Sequence, residues 1–180
     1  KKATLLRQEF SHIFGRIYAT FHKDKEGEVK GKSSNQRHAI QWIQRQVLNK
    51  KDIDKDFLTV SSVDADSIFD PQYFAYLTHA FLTDKNPYRK FWQSATVYHN
   101  NIWQVPVLTR IISIMGSVWR TGILIRHERL IANSTYSLSF KLLKKVGFWD
   151  ADVIPEDYRI FFKAFYKTKG LVEASPIFLK

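Results

Sequence analysis

The chain has 180 residues, enough for one domain with its own core. Its 44% hydrophobic and 15% aromatic content excludes a disordered chain. With no cysteine, disulfides, thiolate metal sites and thiol nucleophiles are excluded, and a reducing, cytosolic setting is compatible. The 28 basic and 17 acidic residues leave a net charge of +11. That balance admits nucleic acid, an anionic membrane surface or phosphorylated substrates as partners, beside a merely solvated basic surface. The basic residues are spread out, with clusters at Lys1-Lys2, Lys23 to Lys32, Lys50-Lys51, Lys141 to Lys145 and Lys163 to Lys169.

Lys1-Lys2 and the amphipathic stretch after them do not read as a signal peptide. Leu5, Leu6, Phe10, Ile13 and Phe14 recur at helical spacing, so the chain is expected to open on a helix. Arg16 to Phe21 has strand composition. A charged loop, His22 to Lys32, leads to a helix with Ser33, Ser34 and Asn35 as capping candidates and Ala39, Trp42, Ile43 and Val47 on its apolar face. Phe57 to Val63 reads as a buried strand running into Asp64-Ala65-Asp66. Asp70-Pro71 starts a further helix, with Tyr73, Phe74, Leu77, Ala80 and Phe81 on one face.

Phe91 to Tyr98 is the next strand candidate. Val105 to Arg126 is a long helical region interrupted by Arg110 and Arg120, so it does not read as a bilayer span. It is expected to be a buried core helix, with an amphipathic helix lying on a membrane as the alternative. A shorter helix is predicted over Leu138 to Val146, another from Pro155 to about Lys169, and a closing strand over Leu171 to Ala174. Alternating strands and helices predict an α/β sheet with helices on its faces, and in such sheets ligands bind beyond the carboxyl ends of the strands.

Four Asp-x-Asp pairs occur: Asp52/Asp54, Asp54/Asp56, Asp64/Asp66 and Asp150/Asp152. The first two lie in a polar loop and read as solvated turns. Only Asp64/Asp66 follow an apolar strand. Two carboxylates at that spacing suit Mg²⁺ or Mn²⁺ with coordination positions left for diphosphate oxygens. A strand-terminating turn, with Asp66 or Asp70 capping the next helix, accounts for them equally well. Glu156 and Asp157 after Pro155 are either first-turn acids matched to the helix dipole or a general base beside the metal. Gly31-Lys32-Ser33-Ser34-Asn35 places a glycine, a cation and small polar residues before a helix, a setting that favours phosphate without being a Walker A loop. The six histidines (His12, His22, His38, His79, His99, His127) show no metal-ligand spacing and read as structural; nothing supports a zinc enzyme or a serine hydrolase.

Taken in order, these segments resemble the processive family 2 glycosyltransferases, the group containing cellulose and hyaluronan synthases. Gly31-Lys32-Ser33-Ser34-Asn35 is similar to a shortened form of the family's Gly-Lys-x-x-x-x-Asn-like segment. Val60 to Ser67, carrying Asp64 and Asp66, matches its strand ending in Asp-x-Asp. Lys145 to Asp150 followed by Ile154-Pro155-Glu156-Asp157 matches its Gly-Gly-[Phe/Tyr] turn and Thr-Glu-Asp motif, with Val146 in place of one glycine and Pro155 in place of threonine. Those two replacements mark a divergent branch. The match in order and spacing runs from about Lys30 to Phe165.

The resemblance implies a GT-A-like, Rossmann-like mixed sheet flanked by helices, with residues 1–180 a single, incomplete catalytic domain. The strand that holds the nucleotide base would precede Lys1, and the Gln-x-x-Arg-Trp motif and membrane helices would lie outside the chain. It further implies an inverting, metal-dependent glycosyltransferase moving a sugar from a nucleotide-sugar donor to a glycan or lipid acceptor. Asp64 and Asp66 would bind Mg²⁺ or Mn²⁺, Asp157 would be the catalytic base with Glu156 orienting it, and Lys32, Asn35 and Asp64 would contact the donor. Tyr98, His99, Asn101 and Trp103 are candidates for the acceptor site, since aromatic faces suit sugars; Trp103 reads equally as core. The implied location is membrane-associated with a cytoplasmic catalytic domain, the membrane being reached through segments outside this chain. No nucleic-acid partner is implied, and the chain alone is expected to be inactive and to self-associate through an uncovered sheet edge. The rival readings are a basic membrane-surface or nucleic-acid-binding module without enzymatic activity, a two-carboxylate glycoside hydrolase, and a GT-A-like nucleotidyltransferase.

Overall fold

The computed structural model describes residues 2–50, 52–126 and 130–179; Lys1 and Lys51 of the basic clusters and His127 lie outside the described residues. The chain divides into two units, Lys1–Asp52 with Trp149–Ile154, and Ile53–Phe148 with Pro155–Lys180.

In the first unit, α1 (Lys2–Phe10) buries none of its residues. α2 (Lys32–Ile43) continues as a π-helical turn over Gln44–Leu48, and its buried side is Ile40 with Val47 and Leu48 beyond it. The serines expected to cap α2 stand inside its first turn, and Gly31 precedes it. Both are buried and spend their hydroxyls on backbone carbonyls, Ser33 on Asp150 and Ser34 on Gly31. The Val29 amide donates to the Ala151 carbonyl at 2.7 Å, and the Arg37 guanidinium donates to the Trp149 carbonyl at 3.2 Å. Asp150 is therefore a structural acid, its carboxylate 3.9 Å from Arg37. The strand expected over Arg16–Phe21 does not form. Those residues have no regular structure and Phe21 is 85% exposed. Strand composition expresses fit to a pleated, half-buried surface, and the segment pairs with no strand here.

The second unit holds a four-stranded mixed sheet in the order β1–β3–β2–β4, formed by β1 (Thr59–Ser62), β2 (Lys90–Ser94), β3 (Tyr136–Ser139) and β4 (Glu173–Ile177). β3 runs antiparallel to both neighbours, while β2 and β4 are parallel. β1, β2 and β4 therefore all point the same way, and β1 and β4 are the edges. β3 is buried along its whole length, yet its second half, Leu138 and Ser139, falls inside the stretch predicted as helix. Only Phe140–Lys145 is helical there (α5), started by the Ser139 hydroxyl, which accepts from the Leu142 amide at 3.1 Å. A short apolar run carries no periodicity that separates strand from helix; pairing with β1 and β2 decides it.

Each face of the sheet is covered by one helix. α3 (Tyr73–Thr83) lays Tyr73, Leu77 and Phe81 on Trp92 and Ile177. On the opposite face, α6 (Glu156–Lys167) brings Phe161 against Phe91, which also meets Tyr136. The alternation along β2, Phe91 to one side and Trp92 to the other, is the period-2 geometry of a strand buried on both faces. Opposite Trp92 stands Ser137, small enough to leave room for the Tyr73 ring, whose hydroxyl lies 3.5 Å from the Ser137 hydroxyl.

Lys90 opens β2 and ties α3 to the sheet, its Nζ 2.6 Å from Asp84 and 3.8 Å from Glu173 on β4. Burial raises the Asp84 carboxyl, but the Lys90 hydrogen bond, the Asn86 amide and the Lys90 charge outweigh it and hold the carboxyl below its ordinary value. A depressed folded value means the contribution is complete above the unfolded aspartate value of about 4 and is lost as pH falls through the lower folded one. Asp84→Asn should thus destabilise the protein at neutral pH by roughly 1.5–3 kcal/mol, with the gap from wild type closing on acidification below about pH 4. Urea melts of both proteins across that range check it; a gap that is independent of pH would show that the ion pair contributes nothing.

α4 (Val107–Leu124) departs from its expected place. Of its 18 residues only Ser117 and Leu124 are buried, so it is not a core helix. The helix lies within the stretch expected to be helical, but apolar content is silent on what covers it.

Candidate functional site

The strand directions place one set of loops at a common edge: the segments following β1, β2 and β4 and the one entering β3. They enclose a cleft of about 940 Å³. Asp64, Asp66, Ser67 and Asp70 line it after β1. Ser94 to Asn101 line it after β2, Ile177 to Leu179 after β4, and Ser134 with Thr135 before β3. Tyr73 and Thr121 complete the wall. Burial pushes the Tyr73 phenol above its ordinary value, against the opposing hydrogen bonds of Ser137 and Ser94, so it faces the cleft as a neutral hydroxyl.

Ser134 is where the separate motifs meet. Its hydroxyl donates to Asp64 Oδ2 at 2.6 Å, and its amide donates to Asp157 Oδ2 at 2.7 Å. Asp157 Oδ1 accepts the Tyr158 amide at 2.8 Å in the first turn of α6, so the orientation of that carboxylate is set from both sides. The turn after β1 is closed by the Ser67 amide on the Asp64 carbonyl at 3.1 Å, and the Ser67 hydroxyl stands 3.3 Å from that of Thr135. Asp66, at the centre of this turn, is exposed to the cleft. Asp70 accepts the Gln72 amide at 2.8 Å and forms the turn into α3. Asp70 thus shapes the turn ahead of α3, whose cap position is Gln72, and neither Asp66 nor Asp70 caps the helix with its side chain.

The backbone of Ser134 has φ of 55°, a left-handed conformation that serine rarely adopts. The buried side chain of Gln93 on β2 holds it in place from the residue before. Gln93 Nε2 donates to the Asn133 carbonyl at 2.8 Å and to its Oδ1 at 3.0 Å, and Gln93 Oε1 accepts the Asn133 amide at 2.8 Å. Arg120 of α4 donates to Asn133 Oδ1 at 3.4 Å as well. Sequence reasoning passed over Gln93, Asn133 and Ser134. The signals were a glutamine within the apolar run of β2 and the small polar run Asn133-Ser134-Thr135 just before a strand.

The remaining predicted residues are distributed more widely. Glu156 is buried at the start of α6, and neither it nor Asp157 lines the cleft directly; Asp157 reaches it through Ser134, which does. Tyr98, His99 and Asn101 do line it. The Tyr98 amide donates to Ser117 of α4 at 3.0 Å, and the Arg120 guanidinium sits 5.3 Å from the Tyr98 ring centroid. Trp103 is neither core nor cleft: it is 79% exposed with Arg110 stacked over it at 4.8 Å. Lys32 and Asn35 belong to the first unit. Asn35 Oδ1 lies 3.3 Å from His22 Nδ1, and His22 also pairs with Glu28 at 3.0 Å and stacks on His38. His22 and His38 are structural, as expected from their spacing.

Mg²⁺ or Mn²⁺ fits the donor set in a limited way. Asp64 and Asp66 are hard oxygen donors two residues apart on one turn facing the cleft. No group of three or more metal-binding side chains converges among the described residues. Such a cation would therefore be shared with phosphate oxygens and water, the usual manner of magnesium at diphosphate sites. Comparison with family models, with curated proteins and with solved structures finds no match for this chain.

Proposed function

We propose that this cleft transfers a sugar from a nucleotide-sugar donor, with a divalent cation shared between Asp64, Asp66 and the donor diphosphate. The observation that supports the reading most is the meeting of Asp64 and Asp157 on Ser134, 93 residues apart in the chain yet joined through one serine at the carboxyl edge of the sheet. The bound cation would offset the charge developing on the diphosphate leaving group. Asp157 takes the proton of the acceptor hydroxyl as it attacks the anomeric carbon in line with the departing diphosphate. Ser134 keeps the two carboxylates in fixed relation while they carry out different roles. Tyr98, His99 and Asn101 supply an aromatic and amide wall against which a sugar or its acceptor can rest.

Asp66→Ala tests the metal part. It removes an exposed turn carboxylate, so thermal stability should hardly change, while Mn²⁺-dependent binding of a nucleoside diphosphate should be lost in calorimetric titration. Binding that survives the substitution, or binding of the diphosphate that ignores Mn²⁺, would remove the basis for a shared cation. Running the same titration with a nucleoside triphosphate and following product release separates sugar transfer from nucleotidyl transfer.

A further inference from the structure

We infer that α4 is a membrane-docking helix, lying in the interface of an anionic bilayer with its outer face sunk among the lipid chains. The helix is inverted relative to an ordinary surface helix, which turns its apolar side to the core. Its polar side faces the protein. Ser117 is buried and accepts the Tyr98 amide, and Arg110 donates to the carbonyls of Ile102, Trp103 and Val105 at 3.0–3.4 Å. Arg120 reaches Asn133 and the Tyr98 ring. Its other side presents Ile111, Ile114, Met115, Val118 and Trp119 among eight exposed apolar side chains, Val118 and Trp119 being 68% and 70% exposed. At 3.6 residues per turn the exposed apolar positions cover an arc of about 160° with no charged residue in it.

An uncovered apolar surface of that width marks an interaction site, and charge selects the occupant. Between Asp84 and Glu128 the chain has no acidic residue, while Lys85, Arg89 and Arg126 are basic in addition to Lys90, already paired with Asp84, and to Arg110 and Arg120, which face the protein, within a chain of net charge +11. Such a segment is drawn to anionic lipid. α4 is long and apolar enough to cross a membrane, but crossing would strip Ser117 and Arg120 from Tyr98 and Asn133, the partners that tie it to the rest of the second unit. Lying flat keeps those bonds and buries only the outer arc, the arrangement of interfacial helices.

Flotation with vesicles of phosphatidylcholine, with and without phosphatidylserine, tests the inference on the 180-residue chain. The wild type should float with the anionic vesicles and much less with the neutral ones. The double variant Val118→Ser, Trp119→Ser, both positions being exposed, should keep its circular dichroism and melting temperature. Its vesicle affinity should fall at least about tenfold. Bromine-labelled lipid chains should quench a fluorescence component present in wild type and missing in Trp119→Phe. The inference is overturned if the wild type stays unbound with anionic vesicles, or if the double variant binds them as well as wild type. A wild-type dimer that dissociates on the double substitution, without vesicle binding, would overturn it too and assign the face to a second copy of the chain.

Discussion

Asp157→Asn is expected to lower sugar transfer by about 10²–10⁴-fold, the range for loss of a positioned general base. The fold should largely tolerate the change, because the single asparagine carbonyl can still accept the Ser134 amide that Asp157 Oδ2 now accepts at 2.7 Å, while the Tyr158 amide that loses its acceptor is exposed to water. Binding of Mn²⁺ and a nucleoside diphosphate should change little, since Asp64 and Asp66 remain. The result looked for is therefore a separation: binding kept, transfer lost. Calorimetry measures the first part. Release of nucleoside diphosphate from a panel of uridine and guanosine diphosphate sugars, with acceptor present, measures the second. If both fall together, Asp157 acts through Ser134 on the metal side of the cleft and is a positioning residue. If transfer persists, the base lies elsewhere.

Gln93→Leu should have the largest effect on stability of any single polar substitution near the cleft. Gln93 is 3% exposed and makes three hydrogen bonds to Asn133. Leucine is close in size but can satisfy neither the amide nor the carbonyl of Asn133. Two backbone groups deprived of their partner cost about 2–4 kcal/mol together, a fall in melting temperature of about 4–16 °C for a chain of this size. The functional consequence follows from position. Asn133 precedes Ser134, whose left-handed backbone costs free energy that the Gln93 clamp helps to offset. Freed from the clamp, Ser134 should stop bridging Asp64 and Asp157. Diphosphate binding should weaken in the folded variant even at temperatures well below its melting point. Gln93→Glu is the informative companion, since it keeps the acceptor for the Asn133 amide and loses the donor to the Asn133 carbonyl and Oδ1. Equal stability of Gln93→Leu and wild type would mean that other contacts hold the loop.

Much of the frame was legible in the residues alone. Asp70-Pro71 and the apolar spacing of Tyr73, Phe74, Leu77, Ala80 and Phe81 announced α3; Tyr73, Leu77 and Phe81 are its buried side chains, Ala80 is partly buried and Phe74 is exposed. Pro155 and the two acids after it announced α6, which begins at Glu156. Asp64 and Asp66 were singled out from four similar pairs because an apolar strand precedes them, and they do follow β1 into the cleft. These are local signals, carried by caps, turns and periodicity within a dozen residues. The chain by itself also determined that α4 has a wide apolar face and that its neighbourhood has no acids.

Only the tertiary structure decided the rest. Tyr136–Ser139 became a strand because β1 and β2 flank it, and Arg16–Phe21 did not because no strand pairs with it. Ser134 gained its place through Gln93, 41 residues earlier, and links two carboxylates that are themselves far apart in the chain. Glu156 and Asp157 are adjacent, yet one is buried and the other reaches Ser134. The outward turn of α4 followed from where Ser117, Arg110 and Arg120 found partners. Periodicity describes one element's faces, whereas pairing, burial and polar satisfaction depend on neighbours brought from elsewhere in the chain.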